Sequence, residues 1–512
     1  MRLPSLPNNI QHNPVQTLAF RGLNLTNATQ DGEFSDTLGL STTDYPYLTQ
    51  IVERQAQTGY ASPTDVYVWD GHLYVVDGTS LKKNGTVIGT VTAGQKQMAV
   101  INTKLVIYPD RIYVDMTDDT LHSLVNKSNT YSSYTVTHNS ITATGIGSVY
   151  VDGDVVDVTG TGIEGKRIVV QDVTANKLTF ADNAITVGTT SGSLSIKTST
   201  PELDFICSSN NRIWGVCNED NTVYASALGD PTTFFDYTGE SGSYSLAIGS
   251  EGDFTGICAY GGSVLVWKEN ILHKILGNYP SEYYMIDYPV YGVQKGSEKS
   301  LVVINNILYY KGVFGVYQYG GNTPQNISVN LGNDIYTNAV SGTDGRKYYI
   351  NMADAAGDYH LYAYDLLHGT WMKEENGQMP AITNLDQDLY FVKKTVVSNS
   401  DVYTLNKTGT DVDASLAWTG EFVETTENTF SRKGYLKVLV RLDMTQGSLL
   451  NIYAKEDRRA YRNVFTKQAG SDVTILVPIR LGRCDRWQLK FEGTGEVTIR
   501  AIGREFVGGS VK

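Results

Sequence analysis

Down the middle of the chain, apolar and polar residues alternate in short runs that are broken by two-residue polar turns. One copy reads Val66-Tyr67-Val68-Trp69, then Asp70-Gly71, then His72-Leu73-Tyr74-Val75-Val76. The phrase returns around Asn102-Thr103, Asn210-Asn211, Gly261-Gly262 and Asn305-Asn306, more loosely around Asp344-Gly345, and last near Asp386-Gln387. Alternation with period two turns one face of a strand to a core, and turns of this composition accept positive φ at little cost. Each copy therefore predicts a β-hairpin. About seven copies, mostly roughly 30 to 50 residues apart, predict an all-β fold built on a β-propeller of about six or seven blades, each copy supplying the inner hairpin of one blade. An irregular β-sandwich with many hairpins is the alternative. Few stretches carry the i, i+3, i+4 pattern, so helix is expected to be scarce.

Breaks in the pattern mark the domains. Residues 1–60 hold no such phrase; Pro4, Pro7 and Pro14 punctuate an extended N-terminal arm with spaced anchors at Phe20, Leu23, Leu38, Leu40, Tyr45 and Leu48. An arm of this kind lies along its own propeller or along a neighbouring subunit, and its deletion is expected to harm assembly more than folding. Residues 61–129 and 201–410 carry the propeller. Between them, residues 130–200 are rich in Val and Thr, with strand-like runs every eight to twelve residues, which predicts an inserted small β-barrel. The Tyr- and Pro-rich stretch from Tyr279 to Ser297 is expected to be an interface loop between blades. Residues 411–512 alternate strictly over Tyr435–Arg441, Leu450–Ala454, Val473–Ile479, Trp487–Phe491 and Val497–Ile502. They predict a C-terminal β-sandwich of jelly-roll type.

Composition sharpens this picture at two points. The 34 Tyr in a chain with only 19% charged residues suit half-buried pleated surfaces and protein interfaces. A net charge of −13 argues against gripping nucleic acid over the whole surface. That charge is uneven, because from Phe430 onward basic residues outnumber acidic ones by roughly eight. Arg458, Arg459, Arg462, Arg480, Arg483 and Arg486 carry most of the excess, which suits orientation of subunit contacts.

Candidate chemistry is sparse. The formal G-x-G-x-x-G at Gly160, Gly162 and Gly165 runs into Lys166-Arg167-Ile168-Val169-Val170, a strand and not the helix a pyrophosphate site needs. No G-x-S-x-G elbow, H-E-x-x-H, P-loop or calcium loop appears, and none of the seven His stands in metal-ligand spacing. Acidic pairs such as Asp118-Asp119 and Glu374-Glu375 leave a glycosidase pair open, since such pairs come from different strands. Cys207, Cys217, Cys258 and Cys484 read as strand-buried thiols, although Cys207 and Cys217 flank one hairpin turn. The beginning of the chain lacks an apolar signal region, no run is long enough to span a membrane, and the N-x-S/T triplets at Asn24, Asn84 and Asn126 are taken as chance. No residue is assigned a catalytic, cofactor-binding or metal role.

Two stretches carry a resemblance. The first is Arg21-Gly22-Leu23-Asn24, Asp31-Gly32-Glu33, Leu40-Ser41 and Asp44-Tyr45-Pro46; the second is Arg212-Ile213-Trp214, Asn221 to Pro231, and Phe234. Together they resemble bacteriophage structural proteins variously described as tail nozzles, tail tubular proteins or packaged-DNA stabilisation proteins. The resemblance implies a non-enzymatic virion protein, made in the host cytoplasm, that forms a ring of about six copies in the tail or head-to-tail region. It implies neighbouring tail or portal-adaptor proteins as partners, and genomic DNA passing through the lumen without sequence-specific binding. Phe20, Arg21, Leu23, Tyr45, Arg458, Arg459, Arg462, Arg483 and Arg486 are the candidate interface residues. The alternative is a carbohydrate-binding or carbohydrate-cleaving propeller of a tail fibre or tip, which predicts Trp and acids clustered at one mouth. The six Trp are spread instead.

Overall fold

In the central strands Arg212–Cys217 and Ser263–Lys268 every residue is buried, which explains why these runs read as nearly continuous apolar segments. The computed structural model describes residues 13–51, 54–385, 388–394, 400–404 and 417–508. Their regular elements are β-strands, with short 3₁₀ turns such as Ile146–Ser148 and Val329–Leu331. The chain forms two compact units, one of residues 74–298 and one of residues 1–73 with 299–512.

The first of these units holds three blades, each a four-stranded antiparallel sheet of consecutive strands. They run from Gln97–Ile101 to Thr120–Ser123, from Phe205–Ser209 to Tyr244–Ala247, and from Phe254–Tyr260 to Tyr284–Tyr288. Tyr284–Tyr288 is the outer strand of its blade, so the Tyr-rich stretch is blade as well as connection. The insert spans Ser128–Tyr131 to Thr186–Thr198 and forms two sheets, of three and four strands, around a core that includes Ile141, Tyr150, Val158, Leu178 and Ile196. Gly160, Gly162 and Gly165 lie inside its long Val155–Val169 strand, where the register shifts at Thr161. Gly160 and Gly162 sit at these irregularities as bulge residues in a ladder.

The second unit repeats the blade plan from Val302–Ile304 to Gln325–Asn326 and from Thr337–Thr343 to Thr370–Asn376. A further blade is Ala381–Leu385, Asp388–Lys394 and Ser400–Thr404, completed by Gln55–Ala56 from far upstream. One more four-stranded sheet runs from Pro63–Trp69 to Thr86–Thr90. The fold is an all-β β-propeller with additional β-units. The turns behave as their composition demands: both residues of Asp70-Gly71, Asn210-Asn211, Gly261-Gly262 and Asn305-Asn306 have positive φ. At Asn102-Thr103 only the Asn does, and at Asp344-Gly345 only the Gly. The turn at Asp386-Gln387 lies outside the described residues, as do residues 1–12 and the boundary near 410.

The sandwich differs from expectation in one respect: it is not built from C-terminal residues alone. One sheet has the order Asn13–Thr17, Val497–Gly508, Lys433–Met444, Val473–Ile479; the other begins with Gly22–Leu23 and Glu33–Leu38 before Ala417–Phe422. The N-terminal segment is therefore woven into the unit. Phe20, Leu23, Phe34, Leu40 and Leu48 are buried in one cluster with Trp371, Trp418 and Phe491. Of the sequence-based interface candidates, Phe20 and Leu23 are corrected to core residues, because apolar anchors this well covered have no surface left to offer a partner. The four cysteines are free. Cys207 pairs with Trp214 and Cys217 with Thr222, so the two do not face each other across the hairpin.

Candidate functional site

Three turns of the sandwich meet at one end, and their residue types set the character of that end. They follow Ala417–Phe422, Leu449–Glu456 and Val473–Ile479. Two acids, both at strand ends, bind them together. Asp457, at φ 52°, accepts the backbone N–H groups of Asp485 (2.8 Å) and Arg486 (3.2 Å) and the Arg432 guanidinium (3.2 Å). Glu456 accepts Gly482 N–H (2.8 Å) and Arg462 (2.7 Å), with Arg459 at 3.5 Å. Burial alone would raise the Glu456 carboxyl, but Arg462, the Gly482 N–H and Arg459 outweigh it and hold the group below the usual range. Asp457 is lowered likewise: burial opposes, while the Arg486 and Asp485 N–H groups and Arg432 prevail.

Arg432 also donates to the Arg483 carbonyl (2.9 Å), Arg462 to the Arg480 carbonyl (2.6 Å), and Arg486 pairs with Glu424 (3.0 Å). The structure thus brings Arg458, Arg459, Arg462, Arg483 and Arg486 together, adding Arg432 and Arg480. Four of the seven arginines have acidic partners. The exposed side chains of Arg458, Arg480 and Arg483 have none among the described residues. That leaves a positive surface after internal pairing, on top of a sandwich whose residues from 430 onward carry a net +8 within a total of −13.

Phe430 stands beside this surface, 97% exposed. Its loop is anchored on both sides, so the exposure is imposed. Before it, the buried Glu427 carboxylate accepts Arg504 (2.7 Å), Tyr435 (3.3 Å) and Trp487 (3.3 Å), and Thr425 exchanges backbone hydrogen bonds with Trp487. After it, Lys433 exchanges backbone hydrogen bonds with Cys484 and sends its ammonium to the Thr429 carbonyl (2.9 Å). Burial pushes the Cys484 thiol up to about 12, so the thiol beneath this end stays protonated. Moving a Phe side chain from water into a dry contact is worth about 2–3 kcal/mol. An anchored loop that holds out such a residue among unpaired guanidinium groups has the composition of a binding hot spot.

The other candidates fare differently. Arg21 is exposed but donates to Gln30 (2.6 Å). Tyr45 is stacked on His368 with centroids 4.3 Å apart. Phe430 and Arg432 were missed by sequence reasoning; the available signal was an aromatic residue inside the polar run Glu424 to Ser431. The two stretches that carry the resemblance prove to be scaffold. Asn24 and Glu33 are buried and joined at 2.8 Å. Buried Arg212 donates to the carbonyls of Ser226 (2.8 Å), Glu240 (2.6 Å) and Gly242, pinning the loop that contains Gly229-Asp230-Pro231. Among the described residues no group of three or more His, Cys, Asp or Glu is placed to hold a metal ion. Nor is any helix long and apolar enough to cross a membrane.

No family model matches the chain, and no curated protein does. Among solved structures, the chain is similar to that of U3-55K, at 8% identity and a TM-score of 0.34, over 70% of this chain and 97% of that one. It is also similar to the β-propeller domain of Cps50 (Swd1) from Myceliophteria thermophila, at 9% identity and a TM-score of 0.30, over 69% and 99%. An exo-beta-1,3-galactanase from Phanerochaete chrysosporium, with galactose, is similar at 10% identity and a TM-score of 0.22, over 56% and 92%.

Proposed function

We propose that this protein is a structural component of a bacteriophage virion. In this reading it assembles into a ring of about six copies in the tail or head-to-tail region and forms a conduit that retains and then passes genomic DNA. The observation that carries the self-assembly is the basic, Phe430-tipped end of the sandwich. A closed ring needs a heterologous contact, in which one patch meets a different patch on the next copy. Arg458, Arg480, Arg483 and Phe430 supply the positive patch, and residues 1–429, which carry a net −21 once the +8 is set apart from the −13 total, supply the complement. The viral setting is an inference from the resemblance of the two stretches named above. An acidic balance also suits a wall along which DNA must slide without sticking.

The test is mass photometry of the purified chain with negative-stain imaging, repeated on a triple variant Phe430→Ser, Arg458→Glu, Arg483→Glu. All three side chains are exposed, so the variant is expected to melt as the wild type does. Rings with an open centre in the wild type and monomers in the variant are the expected result. A trimer, or rings indifferent to the three substitutions, would sink the proposal.

A further inference from the structure

Within residues 74–298, a cleft of about 1040 Å³ lies between the insert and the blade that ends at Tyr244–Ala247. Part of its lining is paired internally. Arg167, from the insert, pairs with Asp220 (2.5 Å) and donates to the Tyr224 hydroxyl (2.7 Å). Its guanidinium lies 5.4 Å from the Tyr224 ring centroid and 5.8 Å from that of Phe235. On the same side Asp154 is held by Lys127 (2.5 Å) and the Val151 N–H (2.8 Å).

Three groups lining this cleft are left over. Tyr237 is 57% exposed; its hydroxyl and that of Ser245 are 3.0 Å apart, which fixes the ring, yet no ring or cation covers its face among the described residues. Asp236 uses only one carboxylate oxygen, accepting the Thr238 N–H (3.0 Å) and hydroxyl (2.5 Å). The exposed Asp152 carboxylate has no partner among the described residues. A free aromatic face that lines the same cleft as two carboxylates with unused oxygens suits a sugar, whose C–H face lies on an aromatic ring while its hydroxyls donate to carboxylate oxygens. The same two carboxylates repel phosphate, sulfate and uronate groups. The cleft sits at the upper end of the range for small-ligand sites, about 300–1000 Å³.

We propose that this cleft binds neutral oligosaccharides, with Tyr237 as the stacking platform and Asp152 and Asp236 as hydroxyl acceptors. The site is independent of the ring reading, since the sandwich-end substitutions leave it untouched. The test uses the full chain on an array of several hundred neutral and acidic glycans, followed by titration calorimetry of the best neutral oligosaccharide against wild type, Tyr237→Ala and Asp152→Asn. Neutral glycans should bind and acidic ones should not. Loss of the platform should weaken binding about tenfold, the scale of one aromatic contact, and Asp152→Asn should weaken it by a smaller factor. Both side chains are exposed, so equal melting temperatures are expected, and the second variant keeps the test open should one fail to fold. Silence across the neutral glycans, preference for acidic ones, or undiminished binding by both variants would overturn the proposal.

Discussion

Lys311 is a lysine in the middle of a blade, on the strand Ile307–Gly312, and it is buried. Burial lowers its pKa from 10.5 to about 8. The unfolded chain therefore holds this proton more tightly than the folded one, and folding at pH 7 must carry a charge out of water. The cost is fully present below pH 8 and fades as pH rises towards the ordinary lysine value. Lys311→Met should stabilise the protein by about 2 kcal/mol at pH 7, less near pH 10. Denaturant titrations of both proteins at the two pH values measure this, and a gap that ignores pH would refute the assignment. Glycine supplies a second residue-scale test. Gly22 has φ 80°, and a Cβ there would stand 2.5 Å from the Trp371 carbonyl oxygen; at Gly32, with φ 86°, it would stand 2.4 Å from that of Ala19. Gly22→Ala should cost about 2 kcal/mol or more, read as a lower denaturation midpoint, because left-handed strain and a backbone clash add. The hairpin turns were legible in the sequence because turn chemistry is local. The role of Gly22 was not, since its partner stands more than three hundred residues away.

Elements were legible wherever their pattern was self-contained. The C-terminal strands fall at the expected positions, Val473–Ile479 to the residue. The N-terminal segment was misread as an arm because its short strands, Asn13–Thr17 and Glu33–Leu38, find their partners at Val497–Gly508 and Ala417–Phe422. Nothing within sixty residues reveals such pairing. Deleting residues 1–50 should consequently lower the melting temperature and not merely weaken assembly, and a truncated chain that melts like the wild type would contradict the shared core. The arginine-rich end carries an element-scale prediction with a definite sign. Glu456 and Asp457 have lowered folded pKa values, so their contribution is complete above the unfolded values, about 4, and is lost as pH falls through the folded ones. Acid should loosen these turns, seen as a change in Trp487 emission that Glu456→Gln with Asp457→Asn removes.

For the whole molecule the governing fact is the division of charge, +8 from residue 430 onward within a total of −13. The sequence exposes this imbalance but not that three separate turns gather the arginines at one end around Phe430, which is why the surface became visible only in three dimensions. An interface built on that imbalance has two components with different responses to salt. The guanidinium contribution is screened, because a Debye length of roughly 10 Å at 0.1 M shrinks to roughly 3 Å at 1 M. The Phe430 contribution is apolar and does not weaken with ionic strength. Assembly should therefore weaken with added sodium chloride and then level off instead of vanishing. Phe430→Ser should lower the plateau while keeping the slope, and Arg458→Glu with Arg483→Glu should flatten the slope. Mass photometry across a salt series separates the two. Assembly indifferent to salt would remove the arginines from the contact, whereas assembly abolished by salt in the wild type would remove Phe430.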